Sequence, residues 1–229
     1  MTLILPYFVV SFSNVFDILL DSMINNEDVE FLIPTNIVFS SYPNVNNVHF
    51  VKMTLSDLKK ELEEIVGFNV SLDYAYKLCD YKPLYGSLFS KHLNHSDWWG
   101  YFDSDIVFGK ISDFITDEIL NKYDRLFSIG HLTLFKNNDF CNNLYNYDFD
   151  IPGVPTFKEA AKNSTIYAFD EFSWGKNNGR GLSYAIDKTQ ILKQYNNKKL
   201  LLISIKTDLN FKVLWMLIFL RLFIIKVSY

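Results

Sequence analysis

The chain has 229 residues, 49% of them apolar and 17% aromatic, which suffices for one full-sized domain with a substantial core and excludes a disordered polypeptide. A formal net charge of −4 without any Lys/Arg stripe argues against nucleic acid as a partner and leaves a small anionic ligand held through a metal open. Cys79 and Cys141 lack metal-ligand spacing and suit a reducing cytoplasm with buried, inert thiols.

Met1 to Val10 is apolar, but no Lys or Arg precedes Lys52 and Pro6 interrupts the run, so it reads as a first strand and not as a signal peptide. Thr2 to Leu5 is the strand, stopping at Pro6-Tyr7, and Asn14 caps a helix with Val15, Ile18, Leu19 and Met23 at helical period. Val29 to Ile33 is a second strand ended by Pro34, and Val48 to Met53 a third, after a polar loop containing Pro43. Thr54 and Asp57 form a capping-box pattern before a helix with Leu55, Leu58, Leu62 and Ile65 on one face and Gly67 beyond its end. Strands alternating with helices predict a largely parallel sheet.

From Ser71 to Leu93 the tyrosines 74, 76, 81 and 85 interleave with Lys77, Asp80 and Lys82, and Pro83 is placed to start a helix. Two readings stand: a core helix with a polar face, or a wall of the ligand cleft with Lys77 or Lys82 meeting phosphate and Asp80 beside them. Next, Trp98 to Phe102 has the nearly uncharged, β-favouring composition of a strand buried on both faces, and it ends in Asp103-Ser104-Asp105. On an extended backbone these acids point the same way with Cα atoms roughly 6.5–7 Å apart, so one hard cation, Mg2+ or Mn2+, fits between them. The competing reading is two solvated acids in a turn.

Ile111 to Tyr123 reads as two short helical turns, with Thr116 capping and Asp117 and Glu118 in the first turn for structural reasons. Arg125 to Ile129 and His131 to Lys136 alternate as strands around Gly130, a bend beside the site, which makes His131 either a metal ligand or a hydrogen-bonded structural residue. Asn137 to Thr165 is Asn-rich and broken by Pro152-Gly153 and Pro155, the pattern of a helix plus a substrate-binding loop. Ile166 to Gly175 is a second apolar run ending in acids, Asp170 and Glu171, with Gly179 and Gly181 before a helix through Leu182 to Ile186. Either acid could serve an acceptor as base or binding group, or cap the next turn. Finally, Val213 to Ile225 is too short to span a membrane, yet Trp215, Phe219 and Phe223 share a face flanked by Lys212, Arg221 and Lys226, as in an interfacial segment.

Taken in order, Ile4-Leu5-Pro6-Tyr7-Phe8, Tyr76-Lys77-Leu78-Cys79-Asp80-Tyr81-Lys82-Pro83, Trp99 to Gly109, Gly130-His131-Leu132-Thr133-Leu134 and Phe169-Asp170-Glu171 resemble a bacterial family of glycosyltransferase-like proteins. That family belongs to capsule, lipopolysaccharide and exopolysaccharide gene clusters and has the nucleotide-sugar (GT-A) fold. The resemblance implies an α/β domain over 1–208 with a mostly parallel central sheet flanked by helices, followed by an apolar tail, 209–229, unlike the family's ending and read as shortened or altered. It implies a nucleotide-sugar donor near Pro6, Tyr7, Lys77, Asp80, Lys82 and Asp103, and Mn2+ or Mg2+ on Asp103 and Asp105 with His131. Asp170 and Glu171 would be the catalytic pair, facing a glycan or lipid-linked acceptor at the inner face of the membrane.

Two segments depart from the family pattern. Val9-Val10-Ser11-Phe12 stands where a Gly- or Lys-bearing loop is usual, and Pro34-Thr35-Asn36 where an acid-containing turn is usual. Asp103-Ser-Asp105-Ile-Val107 also fits the pattern of aspartyl-nucleophile phosphohydrolases, although that motif normally follows a first strand and at least three precede it here. A non-catalytic sugar- or nucleotide-binding remnant is the third reading.

Overall fold

A computed structural model of the chain describes residues 1–9, 11, 16–39, 45–172, 174–176, 178–196, 202–206 and 224–228. Asn14, Val15, Pro43 and most of the apolar tail, including Lys212, Trp215, Phe219, Arg221 and Phe223, lie outside them, and with them the interfacial reading of that tail. No helix among the described residues is long and apolar enough to cross a membrane.

The strands are β1 (Thr2–Ile4), β2 (Glu30–Thr35), β3 (Val48–Lys52), β4 (Trp98–Phe102), β5 (Ile106–Phe108), β6 (Arg125–Ile129), β7 (Leu132–Lys136), β8 (Gln194–Tyr195), β9 (Leu202–Lys206) and β10 (Ile224–Ser228). Seven of them make one sheet in the order β3-β2-β1-β4-β7-β6-β8. The pairs β1/β2, β1/β4, β2/β3 and β6/β8 are parallel, while β7 runs antiparallel to β4 and β6. The fold is therefore α/β with a mostly parallel sheet flanked by helices.

β4 lies at the centre of the sheet with all five residues buried. Its side chains alternate between two cores, as a pleated strand requires. Trp99 and Tyr101 join Leu58, Leu62, Tyr81 and Tyr85 on one face, and Trp98 and Phe102 join Phe16, Leu19, Met23 and Phe31 on the other.

The helix Leu55–Val66 begins and ends as its sequence dictates. Thr54 and Asp57 make both halves of a capping box, and Gly67 takes φ 72°, its N–H bonding Glu63 O at 2.9 Å. Leu58 and Leu62 are buried, but Ile65 is 39% exposed, so the apolar face is narrower than its spacing suggests. Three local details differ from expectation. β2 runs through Pro34 to Thr35, because the proline carbonyl still accepts from Tyr7 N at 2.8 Å and thus lacks only a donor. Thr116 holds the N-cap position of Asp117–Lys122 without a side-chain cap bond. Pro83 lies inside a ten-residue 3-10 helix, Ala75–Leu84, and does not start one.

The second sheet, β5-β10-β9, joins β10 antiparallel to β5 and parallel to β9. β9 and β10 lie on either side of the expected boundary at 208 and pair with each other residue for residue from Leu202 to Lys206.

Candidate active site

β1 has β2 on one side and β4 on the other, so the chain reverses its direction of travel across the sheet between β1 and β4. The crevice beyond the carboxyl ends of two such parallel strands is where open α/β sheets take ligands. Ile4 pairs with Tyr101, which brings Pro6-Tyr7 after β1 level with Asp103 after β4. Thr35, at the end of β2, secures this rim by donating its hydroxyl to Tyr7 O at 2.7 Å. The acids are not on an extended strand as expected: Ser104 and Asp105 form a turn between β4 and β5. A turn still gathers them, because it folds Asp105 back beside Asp103.

Asp103 is held from two sides. Lys82 Nζ meets Oδ1 at 2.9 Å and His131 Nδ1 meets Oδ2 at 2.8 Å. Burial alone would raise its pKa, but the Lys82 ammonium and the hydrogen bonds from His131 and Lys82 hold it at about 2. Lys82 also donates to Gly130 O at 3.0 Å, lies 3.2 Å from Asp170 Oδ2, and stands over the Tyr101 ring. Burial would lower its pKa, yet Asp170 and Asp103 together raise it well above the ordinary value. The ammonium thus stays charged and ties the two acids together.

One ligand atom from each of Asp103, Asp105 and His131 lies within 4.8 Å of the others. Opposite ligands of a six-coordinate Mg2+ or Mn2+ stand about 4.2 Å apart, twice the usual bond length, so a small side-chain rotation lets one ion reach all three. Two carboxylates with an imidazole suit such hard cations, Mn2+ in particular. The residues therefore fit the implied metal.

Asp170 is 1% exposed, and beyond the Lys82 ion pair its carboxylate takes no hydrogen bond from the described residues. Burial, opposed by Lys82, pushes it up to about 7. Its backbone is fixed from behind: Arg125, fully buried, donates to Ser183, whose hydroxyl donates to Asp170 O. Glu171 is half-buried, with Oε2 accepting from Gly130 N at 3.0 Å and Oε1 from the Trp174 indole.

Lys77 and Asp80 correct the cleft reading. Their side chains are 0% and 1% exposed and pair at 2.6 Å. Lys77 Nζ also donates to Ala160 O and Thr165 O, and Asp80 accepts from Tyr167 N and Phe169 N, so the pair fixes the segment leading to Asp170 and does not face a ligand. The reason is the three-residue period of the 3-10 helix, which stacks 77 and 80 on one ridge and 76, 79 and 82 on another. The sequence reading missed Tyr76, Trp174, Arg125 and Ser183 as site neighbours. The signal for Tyr76 was its six-residue spacing to Lys82, informative once the period is three.

Gly130 leaves its neighbour Glu171 the space that a side chain would take. A Cβ there would lie 2.1 Å from Glu171 Oε2. The Gly130→Ala variant is expected to push the carboxylate aside and break its bond to residue 130 N, lowering stability by about 1 kcal/mol in urea unfolding. The released indole should shift the tryptophan emission; unchanged emission and stability would mean that Glu171 does not depend on the glycine.

A search of curated proteins finds no match to the chain. Galactosyltransferase LgtC in complex with donor and acceptor sugar analogues aligns over 100% of this chain and 87% of its own, with 10% identity and a TM-score of 0.46. An active-site mutant of LgtC aligns over 100% and 88%, with 10% identity and a TM-score of 0.47. The family of unknown function DUF6625 matches residues 3–215, nearly the whole length, and the chain belongs to that family.

Proposed function

We propose that this chain is a metal-dependent glycosyltransferase that moves a sugar from a nucleotide-sugar donor to a glycan or lipid-linked acceptor in cell-surface polysaccharide synthesis, at the cytoplasmic face of the membrane. The observation that carries the reading is the gathering of Asp103, Asp105 and His131 beyond β4, level with Pro6-Tyr7, at the reversal point of the sheet. The sequence resemblance of the same segments to glycosyltransferase-like proteins supports it. A divalent ion held by Asp103, Asp105 and His131 would supply positive charge to a diphosphate leaving group.

The protein's own groups divide the remaining work. Lys82 orients Asp103 and adds positive charge beside it, and is itself held 3.2 Å from Asp170. Pro6 and Tyr7 line the nucleotide side. Glu171, across β4 at the Gly130 turn, lies on the acceptor side, where its carboxylate can accept from a hydroxyl. Asp103 follows the fourth strand in chain order, away from the usual place of a phosphohydrolase nucleophile.

A thermal-shift screen of UDP, GDP, ADP and TDP with and without Mn2+ tests the reading. At least one nucleoside diphosphate should raise Tm only when Mn2+ is present, and its sugar conjugate should be turned over when acceptors are supplied. No Mn2+-dependent shift with any of the four would sink the proposal. A shift without turnover would leave a binding remnant.

A further inference from the structure

Tyr76 is 66% exposed, an unusual position for a ring next to a buried polar cluster. Its ring centroid lies 6.2 Å from that of Trp174, with the planes tilted by 38°. Trp174 is half-buried and does not rotate freely, since its indole N–H donates to Glu171, whose other oxygen takes Gly130 N–H at 3.0 Å. Residue 131 follows directly and its imidazole meets Asp103 at 2.8 Å. A continuous run of contacts, Trp174 to Glu171 to Gly130 to His131 to Asp103, thus connects the aromatic pair to the candidate metal ligands.

Tyr76 reaches the same place from the other direction, sharing a ridge of the 3-10 helix with Lys82. Partial burial first, and then the charges of Cys79, Asp103 and Glu171 against that of Lys82, raise its hydroxyl pKa, as expected for a ring at this mouth. Position in the sheet decides the side. The Gly130 turn joins β6 to β7, and β7 flanks β4 opposite β1, so these rings lie across the acids from Pro6-Tyr7.

We propose that Tyr76 and Trp174 form the wall of an acceptor subsite that stacks one pyranose ring, with Glu171 bonding a hydroxyl at its rim. The proposal rests on the glycosyltransferase reading for the word acceptor, and on the geometry for the ring. One face of a pyranose is a patch of C–H groups, weakly positive and apolar, which matches the negative face of an aromatic ring. Its hydroxyl rim needs an acceptor, and Glu171, bonded to the Trp174 indole, supplies one beside the rings. Glu171 is then both a hydroxyl contact and a positioning residue for Trp174.

Saturation-transfer NMR with the methyl glycosides of glucose, galactose, mannose, rhamnose and N-acetylglucosamine, on the full chain with Mg2+, reads the subsite directly. At least one glycoside should receive saturation, strongest at ring C–H protons. Its Kd should weaken about tenfold in Tyr76→Ala and in Trp174→Ala, and stay within about twofold in Tyr76→Phe. The Mn2+-dependent nucleoside diphosphate shift should be unchanged in all three variants. The subsite is overturned if no glycoside binds, if the alanine variants bind as the native chain does, or if they lose the nucleotide shift in step with the glycoside. A native chain that binds the glycoside in this pattern but no nucleoside diphosphate keeps the subsite and sinks the glycosyltransferase reading.

Discussion

The double variant Asp103→Ala, Asp105→Ala is expected to lose Mn2+-dependent nucleoside diphosphate binding, with Mn2+ affinity falling more than 100-fold in calorimetric titration. Two of the three gathered ligands disappear, and altering mere outer-shell partners of a metal site already costs about 10–100-fold. Asp103, held at about 2, is fully ionised at neutral pH and offers its carboxylate to a cation without losing a proton. The fold should persist, because Lys82 keeps Gly130 O at 3.0 Å and Asp170 at 3.2 Å when Asp103 is gone. Folded protein that binds Mn2+ and nucleotide as tightly as before would place the site elsewhere.

That site was legible where chemistry and burial coincide in a short stretch. β4 stands out because a strand covered on both faces must be apolar throughout, and acids arriving at its end can only be at the sheet's rim. Helix Leu55–Val66 was legible from its caps, which are local. Gly130 and His131 were legible as a bend, and the structure brings them to Asp103. The spacing argument for Asp103 and Asp105 reached a real cluster through the wrong backbone, since a turn and not a strand carries them.

What stayed hidden depends on period and on distant partners. Reading Ala75–Leu84 at an α-helical 3.6 scrambles its faces, so Lys77 and Lys82 look interchangeable although one is sealed in the core and the other reaches the cleft. The different fates of Asp170 and Glu171, neighbours in a turn, follow from contacts 88 and 41 residues away, to Lys82 and to Gly130. The pairing of β10 with β5 is a contact between the end of the chain and its middle, for which no local signal exists.

Lys77→Met should be the most destabilising single change among the residues first read as cleft lining, by about 3–5 kcal/mol, without weakening nucleotide binding by the folded protein. The side chain is 0% exposed and its three donors go to Asp80 at 2.6 Å, Ala160 O at 3.0 Å and Thr165 O at 2.9 Å. Methionine fills a similar volume but leaves the Asp80 carboxylate uncompensated in the core, and an unpaired buried charge is the expensive outcome of breaking such a pair. Asp80→Asn should also destabilise: an amide oxygen can still accept from Tyr167 N and Phe169 N, which lie 3.2 and 3.0 Å from Oδ1, but the buried Lys77 ammonium loses its counter-charge and meets an amide donor. Against a typical total of about 5–15 kcal/mol the Met variant remains foldable at reduced temperature, so both quantities are measurable. Urea unfolding gives the first, as a lower midpoint at constant slope, and a nucleoside diphosphate titration under native conditions gives the second. A residue that touched phosphate would show the reverse, weaker nucleotide binding with little change in midpoint, and that result would return Lys77 to the cleft.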